Sequence, residues 1–270
     1  MYKLSVAAFR RQCWLVALLL FTPPAWAALT GLEVASTPEA MQAQVGTLNR
    51  RIQARPNEAL SYVQRGEAYF KLGEFEKAVA DFTKAIEIND RLDDAYYGRG
   101  MALARQGEVD KGIADLSVYL QRDPKSSLAY TKRGVRYLWK GDEANAEKDF
   151  RKAIVLDARN AEAHDDLGVI HARRNEHEQA IEHFTTTIRI DPSYHKAYHN
   201  LALVYFLVGR ETQALSTIDI SLKLLPDNRN ALLLKSQILK SLGRNEEAQR
   251  VKNDAEFQPA GNWAERMPVK

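Results

Sequence analysis

Apolar residues return three and four positions apart along SYVQRGEAYFKL (residues 61–72), the spacing that lines one face of an α-helix. The pattern breaks at Gly73 and resumes in a second amphipathic stretch. The pair of stretches then recurs every 34 residues, as RGMALARQGEVDKGIADL from residue 99 and RGVRYLWKGDEANAEKDF from residue 133. Six such units begin near Ala59, Asp93, Ser127, Ala161, His195 and Arg229, with no insertion or deletion between them. The pattern predicts two antiparallel helices per unit and an all-α architecture built by stacking.

Four rows carry the register. Gly66, Gly100, Gly134, Gly168, Ala202 and Ser236 lie midway along the first helix of each unit. Glycine inside a helix costs about 1 kcal/mol relative to alanine, so a small residue kept six times implies close approach of a second helix. Ala78, Gly112, Ala146, Ala180, Ala214 and Ala248 form a second small row, and the two rows read as the two sides of a tight crossing. Gly73, Gly107, Gly141, Asn175, Gly209 and Gly243 fall between the helices, where glycine or asparagine supplies a left-handed C-terminal turn. Phe82, Leu116, Phe150, Phe184 and Ile218 fill the fourth row with bulk, until Lys252 takes that position in the last unit.

These residues resemble the tetratricopeptide repeat. The resemblance covers residues 59–256 and implies a right-handed superhelical solenoid of antiparallel helix pairs, with a concave groove lined by the first helix of each unit. One unit alone has too little surface to bury, so stability must come from stacking. Residues 28–58 read as an N-terminal segment whose stretch PEAMQAQVGTLNRRIQA forms a capping helix. The polar NEEAQRVKNDAE with Lys252 suits a solvent-facing end. Residues 257–270 have no period and form an irregular tail, in which Trp263 can fold back onto the last helix.

Arginine precedes the small residue in three units, as Arg65, Arg99 and Arg133; the others carry Leu167, Leu201 and Lys235. Sixteen residues later the same three units have Asp81, Asp115 and Asp149, where the others have His183, Thr217 and Val251. Arginine and aspartate therefore occur together, unit by unit. A partly buried charge needs a partner, and the expected contact is Arg with the Asp of its own unit. Descent from one duplicated unit would give the same coincidence without contact.

All six histidines lie between His164 and His199. His164 and His171 occupy rows otherwise filled by Tyr or Leu and read as packing rings. His177 and His183, six residues apart, lie on different helix faces. His199 is expected in the groove beside Asp165, with Asp166 and Glu162 near. A metal-binding protein or enzyme built on the His164–His199 cluster is an alternative, but HEQAIEH lacks the spacing of a zinc-protease helix. No nucleophile motif, phosphate-cradling glycine loop or acid pair stands out, so no enzyme and no cofactor are expected.

The groove is the expected working surface. Its candidate residues are Val63, Phe70, Tyr97, Met101, Leu138 and Trp139 in the first three units. Asp165, His199, Leu203 and Phe206 continue it. Apolar side chains facing solvent mark a partner surface, here for a protein or peptide ligand. Asp165, Asp166 and Glu162 favour a basic group. The Lys, Arg and Asn pattern with which some members of the family grip a C-terminal carboxylate is absent, since Val63, Glu67, Tyr97 and Met101 stand there.

Charge and the N-terminus complete the expectation. Lys3, Arg10 and Arg11 precede the short apolar run Trp14–Phe21, then Pro23–Pro24 and Ala25-Trp26-Ala27, the order of a cleavable secretory signal over residues 1–27. The run is too short to span a bilayer, which needs about 20 apolar residues. Lys+Arg number 38 and Asp+Glu 35, a net charge of +3 that the three basic signal residues supply. A nucleic-acid partner has no electrostatic support in such a chain. Cys13 lies in the signal, so the processed chain has no thiol, which suits an oxidising compartment. The expected protein is an exported, periplasmic adaptor that supports an envelope assembly by contact; a self-associating structural protein is the other non-catalytic reading.

Overall fold

In each of the six units one residue between the helices adopts a left-handed backbone conformation. Gly73, Gly107, Gly141, Gly209 and Gly243 lie at φ of 74–93°, and Asn175 at 61°. These turns reverse the chain in two to three residues and set the two helices of each unit antiparallel. The computed structural model describes residues 37–258. The signal segment, residues 28–36 and Trp263 lie outside the described residues.

A lone helix α1 (Pro38–Ala54) leads the stack. Six pairs follow: α2 (Ala59–Lys71) with α3 (Phe75–Ile88), α4 (Asp93–Arg105) with α5 (Val109–Arg122), and α6 (Ser127–Lys140) with α7 (Glu143–Leu156). Then come α8 (Ala161–Arg173) with α9 (His177–Ile190), α10 (His195–Leu207) with α11 (Glu211–Leu224), and α12 (Arg229–Ser241) with α13 (Asn245–Phe257). The described residues form 13 helices and no strand, an all-α repeat solenoid. Thr37, Ser126, Asp142, Asn160 and Asn228 cap their helices by accepting a hydrogen bond from a backbone N–H within the first turn.

The core is a ladder of the bulky row against the small rows. Phe82, Leu116, Phe150, Phe184 and Ile218 are fully buried. In units 3 and 4 a Cβ added to Gly134 or Gly168 would meet the Phe150 or Phe184 ring at 2.6 or 2.7 Å. Glycine in these units makes room for the phenylalanine of its own hairpin. In unit 2, where Leu116 replaces phenylalanine, the two small rows meet directly: a Cβ on Gly100 would lie 2.9 Å from the Gly112 carbonyl oxygen. They meet again in unit 6, where Ser236 Oγ donates to the Ala248 carbonyl at 2.8 Å. Lys252 is exposed, as an outer end requires.

The backbone of each first helix approaches that of the first helix of the next unit, while the backbones of no two second helices draw so near among the described residues. The chain is thus drawn together on the side of α2, α4, α6, α8, α10 and α12. That layer is the inner, concave face.

Candidate functional site

The inner face carries apolar and aromatic groups that stay partly exposed even where, as at Phe70, Leu138, Trp139 and Phe206, they pack against the hairpin core. Phe70, Tyr97, Met101, Leu138, Trp139 and Phe206 are half-buried. Leu203 and Leu207 are exposed, Leu207 to 59%. Phe70 packs edge-on against Phe75, with ring centroids 5.5 Å apart. Tyr97 lies 5.3 Å from the Tyr119 ring, and burial pushes its phenol up to about 12. It is therefore a neutral hydroxyl-bearing ring at any physiological pH. The Arg136 guanidinium, itself buried, stacks 4.7 Å from the Trp139 ring.

Two expected groove residues lie elsewhere. Val63 is 3% exposed and belongs to the core beside Tyr62, Phe82 and Ala102. Its position on α2 faces the next hairpin, so stacking removes it from solvent. Asp165 is 2% exposed, with Asn200 Nδ2 donating to its Oδ1 at 3.2 Å from the following unit. It joins units 4 and 5 and does not offer a charge to a partner. Asp166 is buried as well, and Glu162 accepts from Lys132 Nζ at 2.5 Å. His199 is half-buried on α10, and burial followed by the nearby His195 lowers its pKa.

Across the hairpin crossings the arginines meet the aspartates sixteen residues on. Arg65 donates from Nε to Asp81 Oδ2 at 2.7 Å and from Nη2 to Oδ1 at 2.6 Å. Arg99 reaches Asp115 at 2.7 and 2.9 Å, and Arg133 reaches Asp149 at 2.7 and 2.8 Å, in the same bidentate geometry. Such parallel pairs are the strong form of the charge-assisted bond. The free Nη1 of each arginine turns to the preceding hairpin: to Asn49 Oδ1 at 2.7 Å, Thr83 Oγ1 at 3.4 Å and Ser117 Oγ at 3.0 Å. Sequence reasoning missed this third bond. Its signal was present as a row of short polar acceptors sixteen residues before each arginine. Unit 6 uses that row differently: Lys235 Nζ pairs with Asp219 of the preceding unit at 2.7 Å. Tyr62 and Tyr69 flank Arg65 at 5.6 and 5.9 Å, and Tyr130 and Tyr137 flank Arg133 at 5.5 and 5.9 Å.

In unit 4 histidines replace the aspartate and both tyrosines, and Leu167 replaces the arginine. His183 stands on the aspartate row, and His164 and His171 stand on the two tyrosine rows. His164 Nδ1 and His183 Nδ1 are 3.1 Å apart, and the His171 ring is stacked parallel on His183 at 5.3 Å. Among the described residues no three His, Cys, Asp or Glu side chains converge as a metal ion would need. Nor is any described helix long and apolar enough to cross a membrane.

Comparison with known proteins agrees with this geometry. A family model for the TPR repeat matches residues 54–107 and 170–209, and one for the tetratricopeptide repeat matches residues 94–126. No curated protein sequence matches significantly. Among solved structures, the Cut9–Hcn1 hetero-tetramer of the APC/C contains a chain 16% identical, with a TM-score of 0.72 over 83% of this chain and 45% of that one. The present chain thus spans less than half of that relative. PilF of Pseudomonas aeruginosa is 18% identical, with a TM-score of 0.65 over 75% of this chain and 90% of its own. YrrB, a TPR protein with an unusual peptide-binding site, is 20% identical, with a TM-score of 0.53 over 68% of this chain and 95% of its own. At these identities the likeness is one of fold.

Proposed function

Because the chain is a tetratricopeptide-repeat protein, whose fold serves as a protein-interaction scaffold, we propose that it is an adaptor that holds a peptide or protein segment along its concave face. The observation that carries this reading is the run of partly exposed apolar groups on the inner helices. Tyr97, Met101, Leu138, Trp139, Leu203 and Phe206 remain open to solvent after the hairpins have buried one another, with Leu207 at the edge. Side chains of this kind at the centre of a concave surface are the usual anchors of a protein contact. The corrected positions of Val63 and Asp165 narrow the surface to these groups. They also make it more apolar than the sequence suggested, so the segment it takes is apolar or aromatic.

The adaptor works by contact and not by catalysis. It is exported and acts in the periplasm, in support of an envelope assembly; the charged start, short apolar run and small-residue site of residues 1–27 support this. YrrB, which shares the fold, is a TPR protein with a peptide-binding site, in keeping with the binding half of the reading.

Cross-linked capture from the native envelope tests it. Wild type is compared with Tyr97→Ala combined with Phe206→Ala, after circular dichroism shows that the variant is folded. Loss of a specific partner in the variant is expected. Capture of the same partners at the same yield by both proteins sinks the groove reading. Fractionation showing an unprocessed chain in the cytoplasm sinks the export reading alone.

A further inference from the structure

The histidine stack of unit 4 occupies the place where units 1 and 3 carry an Arg–Asp pair between two tyrosines. A neutral imidazole pair can share one proton across 3.1 Å, one Nδ1 donating and the other accepting. Two imidazolium rings cannot, because both nitrogens then carry hydrogen and both rings are positive. We propose that this stack is an acid-sensitive joint: protonation of His164 and His183 together breaks their Nδ1 hydrogen bond and parts α8 from α9, opening the fourth hairpin while the first three stay closed.

The surroundings support the direction. From α7, Arg151 faces the stack, bonded to Glu147 at 2.5 Å. It stands on the row where Asn49, Thr83 and Ser117 serve the arginines of other units. From α9 itself, Arg189 and Glu182 act on His164 with opposite sign. Arg174, just past α8, is taken up by Glu147 at 2.7 Å. Glu176 binds His171 Nδ1 at 2.5 Å, so this carboxylate serves the outer ring of the stack and not the close pair. From α6, Lys132 reaches the start of α8 but is paired with Glu162. From α10, Leu201, Val204 and the phenol Tyr205 pack against Phe184 and bring no charge. A second proton on the pair therefore meets Arg151 and Arg189, opposed by the Ala158 backbone carbonyl to which His164 bonds and by Glu182.

Burial, then His164 and His171, push His183 down to about 4, and burial lowers His164. The unfolded hairpin takes up its proton near 6.5. A depressed histidine lends the folded state stability that is intact above 6.5, erodes as pH falls below it, and is gone by about 4. From His183 alone, the closing equilibrium weakens about tenfold between pH 7.5 and roughly 5.5. Units 1–3 contain no histidine and feel none of this.

Hydrogen exchange on the full chain at pH 7.5 and about 5.5, corrected for intrinsic rates, reads the joint directly. Protection in α8 and α9 is expected to fall about tenfold more than in α2–α5. In the double variant His164→Tyr with His183→Gln that difference should vanish. Nuclear magnetic resonance titration of the wild-type histidines covers the case in which the variant does not fold: the His183 ring should titrate well below 6.5. Equal loss of protection in both regions, an unaltered pH response in the variant, or a His183 midpoint at its ordinary value each overturns the proposal.

Discussion

Arg99 and Asp115 face each other across the crossing of α4 and α5 through two parallel hydrogen bonds of 2.7 and 2.9 Å. Asp115 is almost wholly buried and Arg99 largely so. Removing one partner leaves the other desolvated without compensation. Asp115→Ala should therefore destabilise the chain by about 3 kcal/mol. The double replacement Arg99→Met with Asp115→Leu should cost less than the single one, because no charge is stranded. Urea unfolding of the three proteins decides: if Asp115→Ala unfolds at the wild-type midpoint, the pair carries no stability.

Two glycines inside helices should respond to alanine in opposite directions. At Gly100 the added Cβ meets the Gly112 carbonyl oxygen at 2.9 Å, a backbone atom that cannot swing away. Gly100→Ala should lose roughly 1–3 kcal/mol despite the better helix propensity of alanine. At Gly46, in α1, nothing lies within 4 Å. Gly46→Ala should gain roughly 0.5–1 kcal/mol. Thermal melts that move in the same direction for both would show that the crossing is looser than its geometry.

Glu58 joins α1 to the first hairpin. Arg51 donates to it at 2.6 and 2.8 Å and Ser61 Oγ at 2.5 Å, and these bonds hold its carboxyl at about 2. A depressed carboxylate contributes stability that is present above its ordinary value of 4.5 and lost as pH falls through about 2. Its side-chain carbon should titrate near the lower value in wild type and return upward in Arg51→Ala. An ordinary midpoint in wild type would mean that α1 is not pinned this way.

Lys252 holds the position that buries Phe82 or Phe150 in earlier units. Lys252→Leu would give the last helix an apolar outer stripe like those that receive a further hairpin. The variant should self-associate with rising concentration, by light scattering, where wild type changes less. Equal behaviour of the two would show that this end is sealed by something other than the lysine.

The repeat register was legible because it is written several times over: the left-handed turn residues, the small rows and the bulky row each repeat without a gap. The Arg65, Arg99 and Arg133 contacts fall at the sixteen-residue spacing that singled them out. The inner face was less legible. On a helix that packs on both flanks, Val63 and Phe70 look alike in sequence, and only the rotation of one hairpin against the next decides that Val63 is core. Asp165 misled for a related reason, since its partner Asn200 lies 35 residues away in the next unit, with no recurring pattern to announce it. The histidine stack needs three rows at once: two of them, at His164 and His171, suggested packing rings, and the third, at His183, is the aspartate row.

The absence of an Arg–Asp pair at the crossings of units 4 and 5, where Leu167 and Leu201 stand in the arginine row, gives the solenoid an uneven response to temperature. Apolar closure weakens as water is chilled, whereas the cost of dehydrating an ion pair falls as it is warmed. Cooling therefore loosens the middle of the stack first, and heating shifts the advantage toward the three hairpins nearest α1.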